Sequence, residues 1–405
     1  MLSLLLLRPQ QAINADCSIL KKGDIMVYIV VKQSPMYKQM NIEDLLFGSV
    51  CDNLLISKNI GNTKTYCLEE LPEKLHRAIN KGALINKLKE FNQSVDHLRT
   101  VDRAKLYYSF LIPKKTGGTR RIDAPNPELM DALRSLKTLF ETSFGAKVLY
   151  HTSAFAYIEG RSTIDAVKRH QANESRWYAK FDLSNFFGNT TMEFTMQQLS
   201  MIFPFSEIIK IPEGRVELEK ALDLAFLNGG LPQGTPISPL ITNIIMIPID
   251  FKLKKALRDF DGKYHVYTRY ADDFIISSRY DFNFRNVEKL IADTIVDSGA
   301  KFRLKPEKTR YGSTAGRNFN LGLMVTSENR ITIGNAKKRQ IEMLMRNYAI
   351  DVKNGNRWDI SDVQVFAGQL SYLRMVEPDV FERIIQHING KFSIDIMSEI
   401  KADLK

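Results

Sequence analysis

The chain has 405 residues, 44% hydrophobic and 25% charged, with 57 lysines and arginines against 46 acidic residues and a net charge of +11. That length suffices for two or three domains with sizeable cores, and the basic excess favours a polyanionic partner, nucleic acid ahead of an anionic membrane surface. Three cysteines (Cys17, Cys51 and Cys67) without a CxxC pair argue against a disulfide framework or a zinc module and fit a reducing, cytoplasmic setting.

The apolar run Leu2–Leu7 is too short to span a bilayer and is cut off by Arg8, so it reads as a strand or an extension rather than a signal or anchor. A start at Met26 would leave residues 1–25 outside the fold. No other segment reads as transmembrane, so no membrane partner is expected. Residues 1–60 carry no usable motif. From Tyr107 to Ile112 the run YYSFLI predicts a strand, PKKTGGTRR a basic turn around Gly117 and Gly118, and RIDAPN the returning strand of a hairpin. Pro127 to Phe140 has helical spacing, with Leu129, Leu133, Leu136 and Phe140 on one face. A strand runs from Trp177 to Asp182. Pro236 to Leu257 predicts one long apolar helix. His265 to Ser278 reads as a hairpin of two β-rich arms around an acidic centre. Further strands and turns are expected over Arg303–Arg310 and Asn318–Thr326. From Asn335, a plausible N-cap, the pattern turns helical. Val363, Phe366, Ala367, Leu370 and Leu373 form an amphipathic stripe that ends at Glu377-Pro378, and the tail is helical as well.

Chemistry concentrates in three places. Tyr270-Ala271-Asp272-Asp273 sets adjacent carboxylates in a tight turn between apolar arms. Buried side by side they repel each other unless a cation neutralises them, and hard oxygen ligands suit Mg²⁺ or Mn²⁺. Taken alone, an exposed Asp-Asp turn is the commoner reading. Asp182 ends a buried strand in KFDLSNFF, where a carboxylate without a partner is costly. A metal shared with Asp272 and Asp273 would supply that partner; the plainer role is to cap a helix starting at Ser184, and the two are compatible. Between these sites lies LPQGTPISPL (231–240). Gly234 there lets the backbone pass close to a ligand, and Pro236 and Pro239 set a rigid entry to the next helix.

In this order, the acidic strand end, the QGxPxSP junction and the YADD hairpin resemble the palm of reverse transcriptases, most closely the bacterial retron and group II intron types. IPKKTGGTRRI and GRSTIDAVKRH are similar to the two fingers motifs of that family. KPEKTRYG and NLGL are similar to the lysine-containing and primer-grip motifs, and GQLSYLRMVEP to the thumb. The resemblance implies an α+β right-hand polymerase, with fingers, an antiparallel-sheet palm and a helical thumb. The segments would be an N-terminal extension over 1–60, fingers over 61–175, palm over 176–330 with a helical insertion at 190–230, and thumb over 331–405.

Residue by residue, it implies that Asp182, Asp272 and Asp273 bind two Mg²⁺ ions (Mn²⁺ being the alternative), with the Leu183 carbonyl as an extra ligand. Arg120 matches the arginine that grips the incoming triphosphate, helped by Lys114 or Lys115; Arg121 is the neighbouring alternative. A planar guanidinium suits phosphate oxygens. Gln233 and Gly234 match the loop lining the nucleotide pocket, Lys308 the lysine that protonates pyrophosphate, and Phe187 the residue under the sugar. As plain structure, Lys308 is a solvated surface lysine and Phe186-Phe187 a pair of core aromatics. Lys337, Lys338 and Arg339 are expected to face the template–primer duplex.

Two features depart from the retron pattern. No NAxxH segment is present, and Val325-Thr326-Ser327 has serine where retron enzymes have glycine. Group II intron enzymes continue into maturase and endonuclease regions, whereas this sequence ends at Lys405, which points to a compact stand-alone enzyme of the phage-defence kind. The expected function is RNA-directed DNA synthesis from dNTPs, with an RNA template, a primer, a DNA product and a dedicated non-coding RNA as partners. Template-independent or protein-primed synthesis of the abortive-infection type is the nearest enzymatic alternative. A non-catalytic RNA-binding scaffold is the other, and the intact aspartate set argues against it.

Overall fold

The computed structural model describes residues 81–404, apart from 115–116, 145–149 and 317, together with the backbone of four strands nearer the N-terminus. These are β1 (Ser3–Leu5), β2 (Cys17–Lys22), β3 (Ile25–Val30) and β4 (Thr65–Cys67), paired antiparallel in the order β2-β3-β1-β4. Two of them lie within residues 1–25. The chain divides into two compact units that interleave along the sequence. One comprises Met1–Tyr157, Leu183–Ala256 and Lys289–Arg303, the other Ile158–Asp182, Leu257–Glu288 and Leu304–Lys405.

In the first unit, β5 (Tyr107–Pro113) and β6 (Thr119–Pro125) form the expected hairpin. Its turn needs Gly117 at φ 88 and Gly118 at φ 76, where a side chain would be strained. Helices α1 (Lys81–Ser94) and α2 (Asp96–Arg99) precede it. Helix α3 (Pro127–Ser143) starts where sequence logic puts it: the Asn126 side chain accepts from Leu129 N–H and Pro127 sits at the first helical position. The predicted stripe Leu129, Leu133, Leu136 and Phe140 is fully buried, each side chain contributing about 1.5–3 kcal/mol of transfer free energy. Helices α5 (Met192–Leu199), α6 (Phe205–Ile209) and α7 (Pro212–Asp223) follow in the same unit, after α4 (Thr163–Ala172) of the other. Phe140 and Phe205 pack with ring centroids 4.7 Å apart. Asn92 donates to both the carbonyl and the carboxylate of Glu217, tying α1 to α7.

The apolar segment 236–257, expected as one helix, is two: α8 (Ser238–Ile245) and α9 (Ile247–Asp259), separated at Met246. Pro248 has no N–H to give the Ile244 carbonyl, so the ladder stops there.

The second unit holds α4 (Thr163–Ala172), which opens with a reciprocal Ser162/Asp165 capping box, and the main sheet. Its strands are β7 (Trp177–Asp182), β8 (Val266–Tyr270), β9 (Asp273–Ser278) and β10 (Arg310–Ser313), antiparallel throughout in the order β10-β7-β9-β8. Of the strands and turns expected over 303–310, the structure has a short 3-10 turn, Pro306–Lys308, with a strand starting at Arg310. Helix α10 (Phe284–Asp297) follows β9. A small sheet of β11 (Phe319–Asn320), β12 (Leu323–Val325) and β13 (Ile331–Thr332) then leads into four helices: α11 (Asn335–Lys353), α12 (Ile360–Val376), α13 (Pro378–Phe392) and α14 (Ile396–Asp403). Gly334, at φ 83, is the N-cap of α11, and Asn335 is already its first helical residue. The stripe Val363, Phe366, Leu370 and Leu373 packs in one core with Ile341, Met345, Tyr348, Phe381 and Ile385; Ala367 lies partly buried at its edge. Among the described residues no helix is long and apolar enough to cross a membrane.

Candidate active site

Strand pairing gathers the three carboxylates. Asp182 lies directly across from Asp273 in the β7–β9 ladder, and Tyr270 pairs with Asp273, which leaves Ala271-Asp272 as a two-residue hairpin turn. Such turns need positive φ, and Ala271 adopts φ 56, a conformation that disfavours a side chain. Arg269 braces the turn: its side chain is wholly buried and Nη1 donates to the Ala271 carbonyl at 3.2 Å. Sequence reasoning missed Arg269. Its only sequence signal is a cation inside an apolar strand arm.

His170 was missed too. It is fully buried, with Nδ1 2.6 Å from Ser277 Oγ on β9 and Nε2 2.7 Å from Thr268 Oγ1 on β8. Because Ser277 gives its proton to Ser175, Nδ1 carries the ring hydrogen and Nε2 accepts from Thr268. Burial, with Arg169 nearby, lowers the His170 pKa to about 3, so the ring is neutral and pins α4 to both arms of the acidic hairpin.

Lysines supply the countercharge. Lys305 Nζ lies 2.8 Å from Asp182 Oδ1, Lys308 Nζ 2.9 Å from Asp182 Oδ2, and Lys180 Nζ 2.9 Å from Asp273 Oδ2. The Lys305 contact is an ion pair rather than a well-directed hydrogen bond, since Oδ1 has no partner of proper hydrogen-bond geometry. Burial works to raise the Asp182 carboxyl, but the ion pair with Lys305 and the hydrogen bond and charge of Lys308 outweigh it and hold the group below the usual range. Asp182 holds the Lys308 ammonium above its ordinary value in return. Asp272 is pushed up by burial and by the Asp273 and Asp182 charges. Asp273 is pushed up by burial and the Asp182 charge, with Lys180 pulling against them. Ser184–Asn189 form turns instead of a helix, so Asp182 caps none.

The donor set suits a hard divalent cation. Asp273 Oδ1 is buried without a partner, and a cation beside Asp272 and Asp273 would relieve the repulsion that raises both. Among the described residues, no three carboxylate, imidazole or thiolate groups stand close enough together to hold an ion. Leu183, next in the chain, is buried and belongs to the first unit.

Lys114, Arg120, Phe187, Gln233 and Gly234 also lie in the first unit. Asp123 N–H donates to the Gln233 carbonyl at 2.8 Å, and Leu231 N–H to the Phe187 carbonyl at 2.9 Å. The loop 230–234 thus joins the β5–β6 hairpin to the turn carrying Phe187. Glycine is required at two of its positions. A Cβ on Gly230 would meet the Gly188 carbonyl oxygen at 2.2 Å, and one on Gly234, at φ 123, would meet Ile122 Cγ2 at 2.9 Å. Gln233 Oε1 is buried and accepts no hydrogen bond.

Strand alternation separates the two candidate arginines. Arg121 is tied to Asp123 Oδ1 at 2.8 Å and Ser109 Oγ at 3.1 Å. Arg120 shares the opposite face with Ile122, the residue Gly234 abuts, and is exposed with no partner among the described residues. Lys114 is exposed beside the hairpin turn; Lys115 lies outside the described residues. Phe186 is buried against Phe302 at 5.0 Å, whereas Phe187, 5.7 Å from the Phe186 ring, is only partly buried.

The family described as reverse transcriptase (RNA-dependent DNA polymerase) matches residues 112–344. The chain is 26% identical over 284 residues to the retron Ec73 reverse transcriptase of Escherichia coli, covering 67% of this chain and 84% of that protein. It is 27% identical over 289 residues to the retron Ec83 reverse transcriptase of the same organism, covering 69% and 85%. Against the retron Mx162 reverse transcriptase of Myxococcus xanthus, identity is 27% over 304 residues, covering 69% and 60%. Among solved structures, apo telomerase from Candida tropicalis aligns with a TM-score of 0.42 at 13% identity, covering 74% of this chain and 61% of that one. A form of it truncated from the C-terminal domain aligns at 0.39 and 15% identity, covering 68% and 62%. The chain therefore spans less than two thirds of each telomerase chain.

Proposed function

Because this chain belongs to the reverse transcriptase (RNA-dependent DNA polymerase) family, we propose that it extends a primer with deoxynucleoside triphosphates along an RNA template, using two Mg²⁺ ions held by Asp182, Asp272 and Asp273. The observation that carries this reading is the register of Asp182 against Asp273 with Asp272 in the adjoining turn, three carboxylates at one end of one sheet. When bound, such ions activate a primer hydroxyl and neutralise the charge of the leaving pyrophosphate; Mn²⁺ can replace Mg²⁺.

The protein's own groups hold and orient. Arg269 fixes the turn on which Asp272 sits. Lys308, kept protonated by Asp182, is proposed to give a proton to pyrophosphate. Arg120 and Lys114 are proposed to bind the triphosphate oxygens, with Gln233 and Gly234 lining the nucleotide pocket and Phe187 beneath the sugar. In a primer-extension assay with an RNA template, dNTPs and Mg²⁺, the wild-type chain should copy the template. Asp272→Asn and Asp273→Asn should reduce incorporation by a factor of 10³ or more, on the order expected for losing a metal ligand at the transition state, with RNA binding retained. Equal synthesis without template would instead establish template-independent polymerisation.

We further propose a dedicated non-coding RNA partner and a role in bacterial defence against phage. The likeness to retron reverse transcriptases and the net charge of +11 support it. Sequencing nucleic acid that copurifies with the chain tests the first, and phage sensitivity after gene deletion tests the second. Dependence of a flanking intron's splicing on this protein would place it with mobile elements instead.

A further inference from the structure

Asp182 is shared by Lys305 and Lys308, and Asp273 is held by Lys180, so three ammonium groups pair with two of the three carboxylates of the acidic site. Lys180 is the odd member. It sits in the interior strand β7, directly across from the fully buried Ile275 on β9 and from Arg310 on β10. Such a position usually takes an apolar residue, because a lysine there must find a countercharge. Alternation along the strand puts Lys180 on the same face as Asp182. Its ammonium runs along the sheet to Asp273 Oδ2 at 2.9 Å, leaving Oδ1 buried without a partner. One carboxylate therefore has one oxygen held by an ammonium and the other open to a cation.

We propose that Lys180 is a built-in competitor of the divalent cation, holding Asp273 while the site is metal-free and setting the ion concentration at which it loads. This rests on the two-ion reading above. An ammonium and a divalent ion cannot both take the full charge of one small carboxylate: each lowers the other's affinity by the same factor, as two linked ligands must. Lys180 then gives the metal-free site its stability and weakens metal binding. A lysine that merely stabilised the strand, or helped build the loaded site, would leave metal affinity unchanged or strengthen it.

The test is Mn²⁺ binding to the full chain, followed by the electron paramagnetic resonance of free Mn²⁺, together with thermal melts in EDTA and in Mg²⁺. Lys180→Met keeps the aliphatic stem and removes the charge. It should tighten Mn²⁺ binding roughly fivefold, the upper end of what a partly exposed ion pair contributes. Its melting temperature should fall in EDTA and gain more than wild type from Mg²⁺. Lys180→Arg should restore the wild-type pattern, and Lys180→Gln serves by the same criterion if the methionine variant does not fold. Unchanged or weaker Mn²⁺ binding in a folded, uncharged variant overturns the competitor role. Asp273→Asn separates the two levels. If wild type binds Mn²⁺ no better than this variant, the two-ion reading fails and this inference with it; if binding depends on Asp273 but not on Lys180, only this inference fails.

Discussion

Asp272 and Asp273 carry the same charge in the same turn, yet their countercharges differ. Asp272 has no ion-pair partner among the described residues, and burial and its neighbours raise its pKa. A carboxyl whose folded pKa lies above its unfolded value favours folding at low pH, and that contribution is lost as pH rises through the folded value. Above the unfolded value Asp272 is therefore a burden on the folded protein. Asp272→Asn should raise the melting temperature in EDTA by about 2–4 °C. Asp273→Asn should not, because it strands the Lys180 ammonium. A melt of Asp272→Asn at or below wild type would mean that the carboxylate is not strained. Phe186 and Phe187 are distinguished by burial in the same way. Phe186→Ala removes a ring packed on Phe302 and should destabilise by about 3 kcal/mol. Phe187→Ala should leave stability nearly intact and raise ribonucleotide use relative to deoxynucleotides, because the bare ring excludes a 2′-hydroxyl and offers it no hydrogen bond. Single-nucleotide incorporation with matched dNTP and rNTP measures this, and an unchanged ratio removes Phe187 from the nucleotide pocket.

Between elements, a few buried polar contacts set the alignment. His170 joins α4 to β8 and β9 through two hydroxyls, and its pKa falls from 6.5 to about 3 on folding. Between those values the unfolded chain binds the proton and the folded chain does not. The stability contributed by neutral His170 is full above pH 6.5 and drains away as pH falls toward 3. His170→Gln should flatten that slope in a series of melts from pH 7 to 4; an unaltered slope would assign the acid sensitivity to other groups. Farther along, Glu377 accepts from Thr332, from Ile333 N–H and from Lys338, linking β13 and α11 to the start of α13. Lys338 is thereby occupied, and Lys337 bonds Gln340 and Gln369, so of the three cations expected to face a duplex Arg339 alone has no partner among the described residues. With Arg383 and His387 it lines an open cavity of about 500 Å³. Replacing Arg339 and Arg383 with Gln should reduce the salt slope of RNA–DNA binding by roughly two, about 0.9 per phosphate contact. Replacing Lys337 and Lys338 should change it less. Equal effects would mean that all these cations act only through the general field.

Across the whole chain, the main sheet is assembled from segments far apart in sequence, β7, then β8–β9, then β10. The helices between the first two of these segments belong mostly to the other unit. Consecutive fingers, palm and thumb boundaries describe motif order, whereas compactness follows sheet pairing. The lack of any linker in the sequence already points to interleaved domains, and the tertiary structure decides which segments join which unit.

The sequence by itself determined what is local. The two-residue acidic turn, the stripe of α3, the glycines of the β5–β6 turn and the order of motifs are written in consecutive residues or in short periods, which is how backbone preference and amphipathicity are encoded. It also misplaced two local features, the break at Met246 and the N-cap of α11, where a proline and a positive-φ glycine overrode hydrophobic pattern and propensity. Only the tertiary structure decided how charges are partnered. Lys308 meets Asp182 across 126 residues and His170 meets Ser277 across 107, and Lys180 finds Asp273 only once β7 pairs with β9. Such pairings depend on sheet register. A single sequence carries no local signal of register, so a lysine in an interior strand or a histidine on a helix reads as ordinary until the strands are laid side by side.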